Sequence, residues 1–222
     1  MSLSNYKTII SRNISNLPGW KSKSRILVIE SDDWGSIRMP SLKIFNELEK
    51  KGLDLRSADA ERYNLNDTLA SSRDLEKLFE TLSSHKDCRG ENAVFTAVSV
   101  MANPDFKKIK SSDFSTYYYE PFTETLQRTP GCEKSFEQWK TGIDTHLFVP
   151  QMHAREHLNV LAWMKALQRN EKQTRLAFES GMTGFVPENY PRVDYQSAFL
   201  LEDPNDIEFQ KEVLVSGLEL FE

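Results

Sequence analysis

The stretch that most constrains this chain is residues 25–36, Arg-Ile-Leu-Val-Ile-Glu-Ser-Asp-Asp-Trp-Gly-Ser. A short run rich in Ile and Val, bounded by polar residues, reads as a buried strand over residues 26–31. The strand runs into two adjacent carboxylates, Asp32 and Asp33. Two acids side by side resist joint ionisation, and a bound cation or a proton shared with a substrate removes that cost. Gly35 and Ser36 then let the chain turn away. A turn or a helix cap would use the same residue types, so the meaning of the acid pair depends on what meets it elsewhere.

Other elements follow from pattern and punctuation. Residues 1–24 are polar and basic with a Pro-Gly break, and read as a short helix or arm packed beside the first strand. A helix is expected over residues 40–51, with Leu42, Phe45 and Leu48 on one side and Gly52 just past its end. Residues 54–69 read as polar and irregular. Ser71 and Asp74 form a capping-box pattern that opens a helix carrying Leu75, Leu78, Phe79 and Leu82. A second buried strand covers residues 93–101 and ends at Asn103-Pro104-Asp105. Residues 105–134 form an aromatic-rich loop with Phe114, Tyr117, Tyr118, Tyr119 and Phe122, suited to packing over a sheet edge or to walling a sugar ring. Then come a helix around 136–142, a third strand over 145–152, a helix over 157–170, a short fourth strand at 182–186 and a final helix over 206–221.

Strands alternating with helices imply parallel βα units. A full (β/α) barrel takes about 250 residues. The expected fold is therefore α/β, an incomplete parallel (β/α) barrel in one domain spanning residues 1–222, either a piece of a longer protein or a sheet completed by something else. A net charge of −5 gives no sign of a nucleic-acid or membrane partner, and no apolar run is long enough to cross a bilayer. The start lacks the apolar core of a secretory signal, and Cys88 and Cys132 form no CxxC pair. A cytoplasmic protein without a disulfide is expected.

The second informative stretch is residues 148–157, Phe-Val-Pro-Gln-Met-His-Ala-Arg-Glu-His. His153 and His157 stand four residues apart where a strand gives way to a helix. In helical conformation both imidazoles would project from one face. Two neutral imidazoles with a carboxylate make a facial set for a divalent metal with positions left for water. Both this pair and the Asp-Asp pair fall at C-terminal ends of expected strands, where barrel active sites assemble. His85 reads as a surface residue and His146 as a core-edge residue.

Ser31-Asp32-Asp33 resembles the T/S-F-D-D element of the NodB-type polysaccharide deacetylases, within the glycoside hydrolase/deacetylase barrel superfamily, although the Phe is missing. The string through Trp34 and Gly35 also resembles the A-D-D-F-G of the YdjC-type sugar deacetylases. His153 and His157 are similar in spacing to that superfamily's H-S/T-x-x-H-P element, with Ala154 in place of Ser/Thr and Leu158 in place of Pro. The resemblance implies a metal-dependent deacetylase acting on N-acetylated carbohydrate, with Asp32 as general base and Asp33, His153 and His157 as ligands. Zinc is the implied ion, with magnesium, manganese or cobalt as alternatives. Trp34 is expected to stack on the sugar or to serve as a core aromatic, and Arg192 is the nearest candidate for the arginine that orients the base. No residue matches the late histidine that protonates the leaving amine in that family.

Two other readings remain. His153-Ala154-Arg155-Glu156-His157 also matches the H-x-x-E-H peptidase motif, which needs the segment inside a helix and makes Glu156 the base; otherwise Glu156 reads as a first-turn helix acid. A metal- or sugar-binding barrel without activity is the remaining alternative.

Overall fold

The computed structural model describes residues 3–56, 60–185, 195–201 and 203–222. Its centre is a parallel sheet of three strands in the order β1-β2-β5. The strands are β1 (Ile29–Trp34), β2 (Phe95–Val100) and, after the short pair β3 (Ala102–Pro104) and β4 (Tyr119–Pro121), β5 (Phe148–Ala154). β3 and β4 pair antiparallel on their own. Among the described residues the main sheet does not close into a barrel.

β1 begins three residues later than its apolar run suggests. Ile26, Leu27 and Val28 are exposed, and pairing starts at Ile29 opposite Phe95. Backbone partners, not side-chain hydrophobicity, set where the ladder begins, and β2 itself starts only at Phe95. The shift draws Asp32 and Asp33 into the strand instead of leaving them beyond it. β5 likewise starts later, at Phe148, and extends to Ala154, so His153 lies on the strand. The expected strand at 182–186 is absent over Met182–Phe185, and Val186 lies outside the described residues.

Ten helices surround the sheet among the described residues. Helix α1 (Leu3–Ser15) forms, but residues 4–24 are exposed throughout rather than packed beside the first strand. Helix α2 (Leu42–Lys50) is capped by Ser41, whose hydroxyl accepts from the Ile44 N–H; it buries Phe45 and Leu48 but leaves Leu42 exposed. The span 54–69 contains helix α3 (Ala60–Asn66), missed because Asn64 is its only buried residue. Helix α4 (Ser72–Ser84) carries the complete capping box. The aromatic segment is no simple loop: it folds as α5 (Phe106–Ser111), β4 and α6 (Phe122–Arg128), with Phe114 and Phe122 buried.

Helix α7 (Ser135–Asp144) turns at His146, which is exposed with φ 58° and not at the core edge. Helix α8 (Val160–Gln168) starts three residues later than expected, at the Asn159 cap, and α9 (Lys172–Glu179) follows. A 3₁₀ turn (Pro204–Asp206) leads into α10 (Ile207–Phe221). No described helix is long and apolar enough to cross a membrane, and Cys88 and Cys132 are both free.

Two apolar clusters hold these layers. Leu75, Phe79 and Leu82 of α4 meet Trp139 of α7 and Phe148 of β5. Gly142 sits at that junction because a Cβ there would run into the Phe79 ring and the Phe148 side chain. The other cluster joins Phe45 and Leu48 of α2 to Trp163 and Leu167 of α8 and Phe178 of α9. Each fully buried side chain of this size contributes about 1.5–3 kcal/mol.

Candidate metal centre

Both parallel ladders break near their C-terminal ends, one opposite Val98 and the other between Ser99 and Val100, and the irregular residues include aspartate and histidine side chains able to bind a metal. On β1, Ser31 pairs with Ala97 and Trp34 with Ser99, so Asp32 and Asp33 together face the single residue Val98. On β5, Met152 pairs with Ser99 and Ala154 with Val100, which leaves His153 without an opposite residue. Such bulges bend a strand and re-aim its side chains. Asp33 adopts φ 62°, a left-handed conformation that costs an ordinary residue about 1–3 kcal/mol and that aspartate tolerates better than most. Gly35 at φ 86° follows, where a Cβ would press on the Phe122 ring and the Val100 carbonyl at 3.0 Å. Asn103 clamps this turn: its Nδ2 donates to the Gly35 carbonyl at 2.8 Å and its Oδ1 accepts from the Ile37 N–H at 3.0 Å.

His157 is placed by the loop between β5 and α8. Within that loop Arg155 and Glu156 form a bidentate ion pair, Nε to Oε2 and Nη2 to Oε1, both 2.6 Å. The Glu156 side chain is only 2% exposed. Arg155 also donates to Ser216 Oγ of α10 at 2.9 Å and lies over the Tyr119 ring at 4.3 Å. Burial opposes the charge on Arg155, but its hydrogen bonds to Glu156 outweigh that and hold its pKa above the ordinary value. Burial, reinforced by the Glu156 charge, pushes the neighbouring Tyr117 hydroxyl well up. The Arg155 carbonyl accepts from the N–H groups of Met101 and Ala102, which pins the loop to the end of β2. Gly217 of α10 lies so close that a Cβ would meet the Arg155 backbone N at 3.0 Å. Glu156 thus lies ahead of α8, not in its first turn, with both carboxylate oxygens taken by Arg155.

The outcome is a convergence. Asp33 Oδ1 lies 3.6 Å from His153 Nε2 and 3.4 Å from His157 Nε2. One ligand atom from each of the three residues falls within 4.8 Å of the others, a spacing suited to one metal ion. The imidazole centroids are 5.3 Å apart and their planes differ by 31°. Asp33 Oδ1 is buried and, among the described residues, makes no hydrogen bond; His157 Nδ1 is in the same condition. A buried carboxylate oxygen without a donor is costly, and a cation between it and two imidazoles removes that cost. The donor set of two nitrogens and one oxygen is the kind that holds a catalytic metal with room for water.

Asp33 and the two histidines therefore come together; Asp32, next to Asp33 in the chain and exposed, lines with Asp33 a cleft of about 310 Å³ whose border includes neither histidine. The cleft is bordered also by Arg38, Tyr63, Asn66 and Asp67. Trp34 touches it too, while its indole makes edge contacts with Phe95, Trp139 and Phe148. Arg192 lies outside the described residues.

Two polar residues of the site carried no sequence signal. Arg38 Nη2 donates to Asp33 Oδ2 at 2.5 Å, and its Nε lies 3.3 Å from Asp67 Oδ2. Burial raises the Asp67 carboxyl above its ordinary range; Arg38 opposes the rise, and Asp33 and Asp32 add to it. Neither residue belongs to a spacing motif, and both come from segments read as turn or irregular chain. Compared with known proteins, this chain matches no protein-family model, no curated protein and no solved structure.

Proposed function

We propose that this chain is a metal-dependent deacetylase of N-acetylated carbohydrates. The observation that carries the reading is the meeting of Asp33 Oδ1 with Nε2 of His153 and of His157, with that oxygen buried and, among the described residues, without a hydrogen bond. When bound there, a divalent ion, zinc on the chemistry of its donors, acidifies a water and polarises the substrate carbonyl. Asp32, adjacent to the ligand but exposed on the cleft rim, takes the proton of the attacking water as general base. The polar cleft receives the hydroxyl-rich ring. Three parallel strands in sequential order are consistent with the opening of the (β/α) barrel that such enzymes use. Nothing comparable supports the peptidase reading, because the Glu156 carboxylate is bound to Arg155 inside the protein.

The test is metal analysis of purified protein together with acetate release from N-acetylglucosamine oligomers. Wild type is expected to take up about one zinc per chain and to release acetate. Asp33→Ala and His153→Ala are expected to lose both. Wild type that binds no divalent ion overturns the proposal, and metal uptake without acetate from any N-acetylated sugar overturns its catalytic part.

A further inference from the structure

Asp33 uses its two carboxylate oxygens differently. Oδ2 is held by the Arg38 guanidinium at 2.5 Å, while Oδ1 carries no hydrogen bond among the described residues and faces both imidazoles. Arg38 is itself enclosed: its side chain is 11% exposed, it lies over the Tyr63 ring at 4.5 Å, and Asp67 flanks its Nε. A carboxylate on a left-handed bulge residue has no strand neighbour to orient it, so something off the strand must.

We infer that Arg38 is the positioning residue of the metal centre: it holds one oxygen of Asp33 so that the other points at the cation, and Asp67 and Tyr63 hold Arg38 in turn. The inference rests on the metal-centre reading above. Arginine suits the task because its planar fork reaches two carboxylates and an aromatic face at once, whereas a lysine ammonium acts as a single point charge. Partners of this kind typically govern metal affinity by about 10–100-fold.

The experiment is a Co2+ titration of wild type, Arg38→Ala and Arg38→Lys, following the visible absorption of the bound ion, with and without millimolar guanidinium. Arg38→Ala is expected to bind about 10–100-fold more weakly, with an altered spectrum that added guanidinium restores. Arg38→Lys is expected to fall between it and wild type. Unchanged affinity and spectrum in Arg38→Ala overturn the inference and leave the metal centre standing. A loss that guanidinium does not reverse marks Arg38 as merely structural and overturns it too. Should Arg38→Ala fail to fold, Arg38→Lys decides: wild-type affinity overturns the inference and weakened affinity supports it. Absence of saturable Co2+ binding in wild type instead removes the metal centre itself.

Discussion

Asp32 and Asp33 share a side-chain type and adjacent positions, yet their surroundings differ. Asp33 is half-buried, left-handed and tied to Arg38; Asp32 is exposed on the cleft rim. Their substitutions should therefore separate. Asp33→Asn is expected to abolish metal binding, whereas Asp32→Asn should keep the metal and lower kcat by about 10²–10⁴-fold, the usual share of a general base; metal content beside acetate-release kinetics checks both. The meeting of Asp33, His153 and His157 was legible in the sequence because few residue types can ligate a metal and these fall near strand ends. Arg38 was not legible, because an arginine in a turn looks like any solvated charge until the fold encloses it. Glu156 was misread for the complementary reason: its partner is its own neighbour Arg155, and nothing in the sequence says that both are buried.

At the scale of elements, pattern worked where burial is one-sided and failed where pairing decides. Helix α4 was readable from its cap and its apolar spacing together. Its capping box yields a pH-dependent test. The Ser71 hydroxyl and backbone N–H hold the Asp74 carboxyl below its ordinary range. The stabilisation is thus present above the unfolded value, about 3.9, and lost as pH falls through the lower folded value. Asp74→Asn is expected to be less stable than wild type at pH 7, and the gap should close in acid; denaturant melts at neutral and acidic pH check this. The strand limits and α3 escaped the sequence because ladder partners and a single buried Asn64 leave no periodic trace. The start of α8 shifted because Asn159, not His157, supplies its cap.

In the whole molecule a close contact ties helix α10 to the loop between the histidines, at Gly217 and Arg155. Gly142 and Gly217 each mark a contact too close for a Cβ, but only Gly217 touches that loop. Gly142→Ala and Gly217→Ala are each expected to cost about 1–3 kcal/mol through overpacking. Only Gly217→Ala should also weaken metal binding, because it displaces Arg155. Thermal melts beside Co2+ titrations distinguish the two.

The paired bulges carry an evolutionary corollary. Residues that the ladder has no need to count can be excised without unzipping their neighbours, so a one-codon deletion at Asp33 or His153 would restore an uninterrupted pleat and silence the rim. Such a deletion is expected to remove one candidate metal ligand while the flanking pairs, Ser31 with Ala97 and Ala154 with Val100, keep their register.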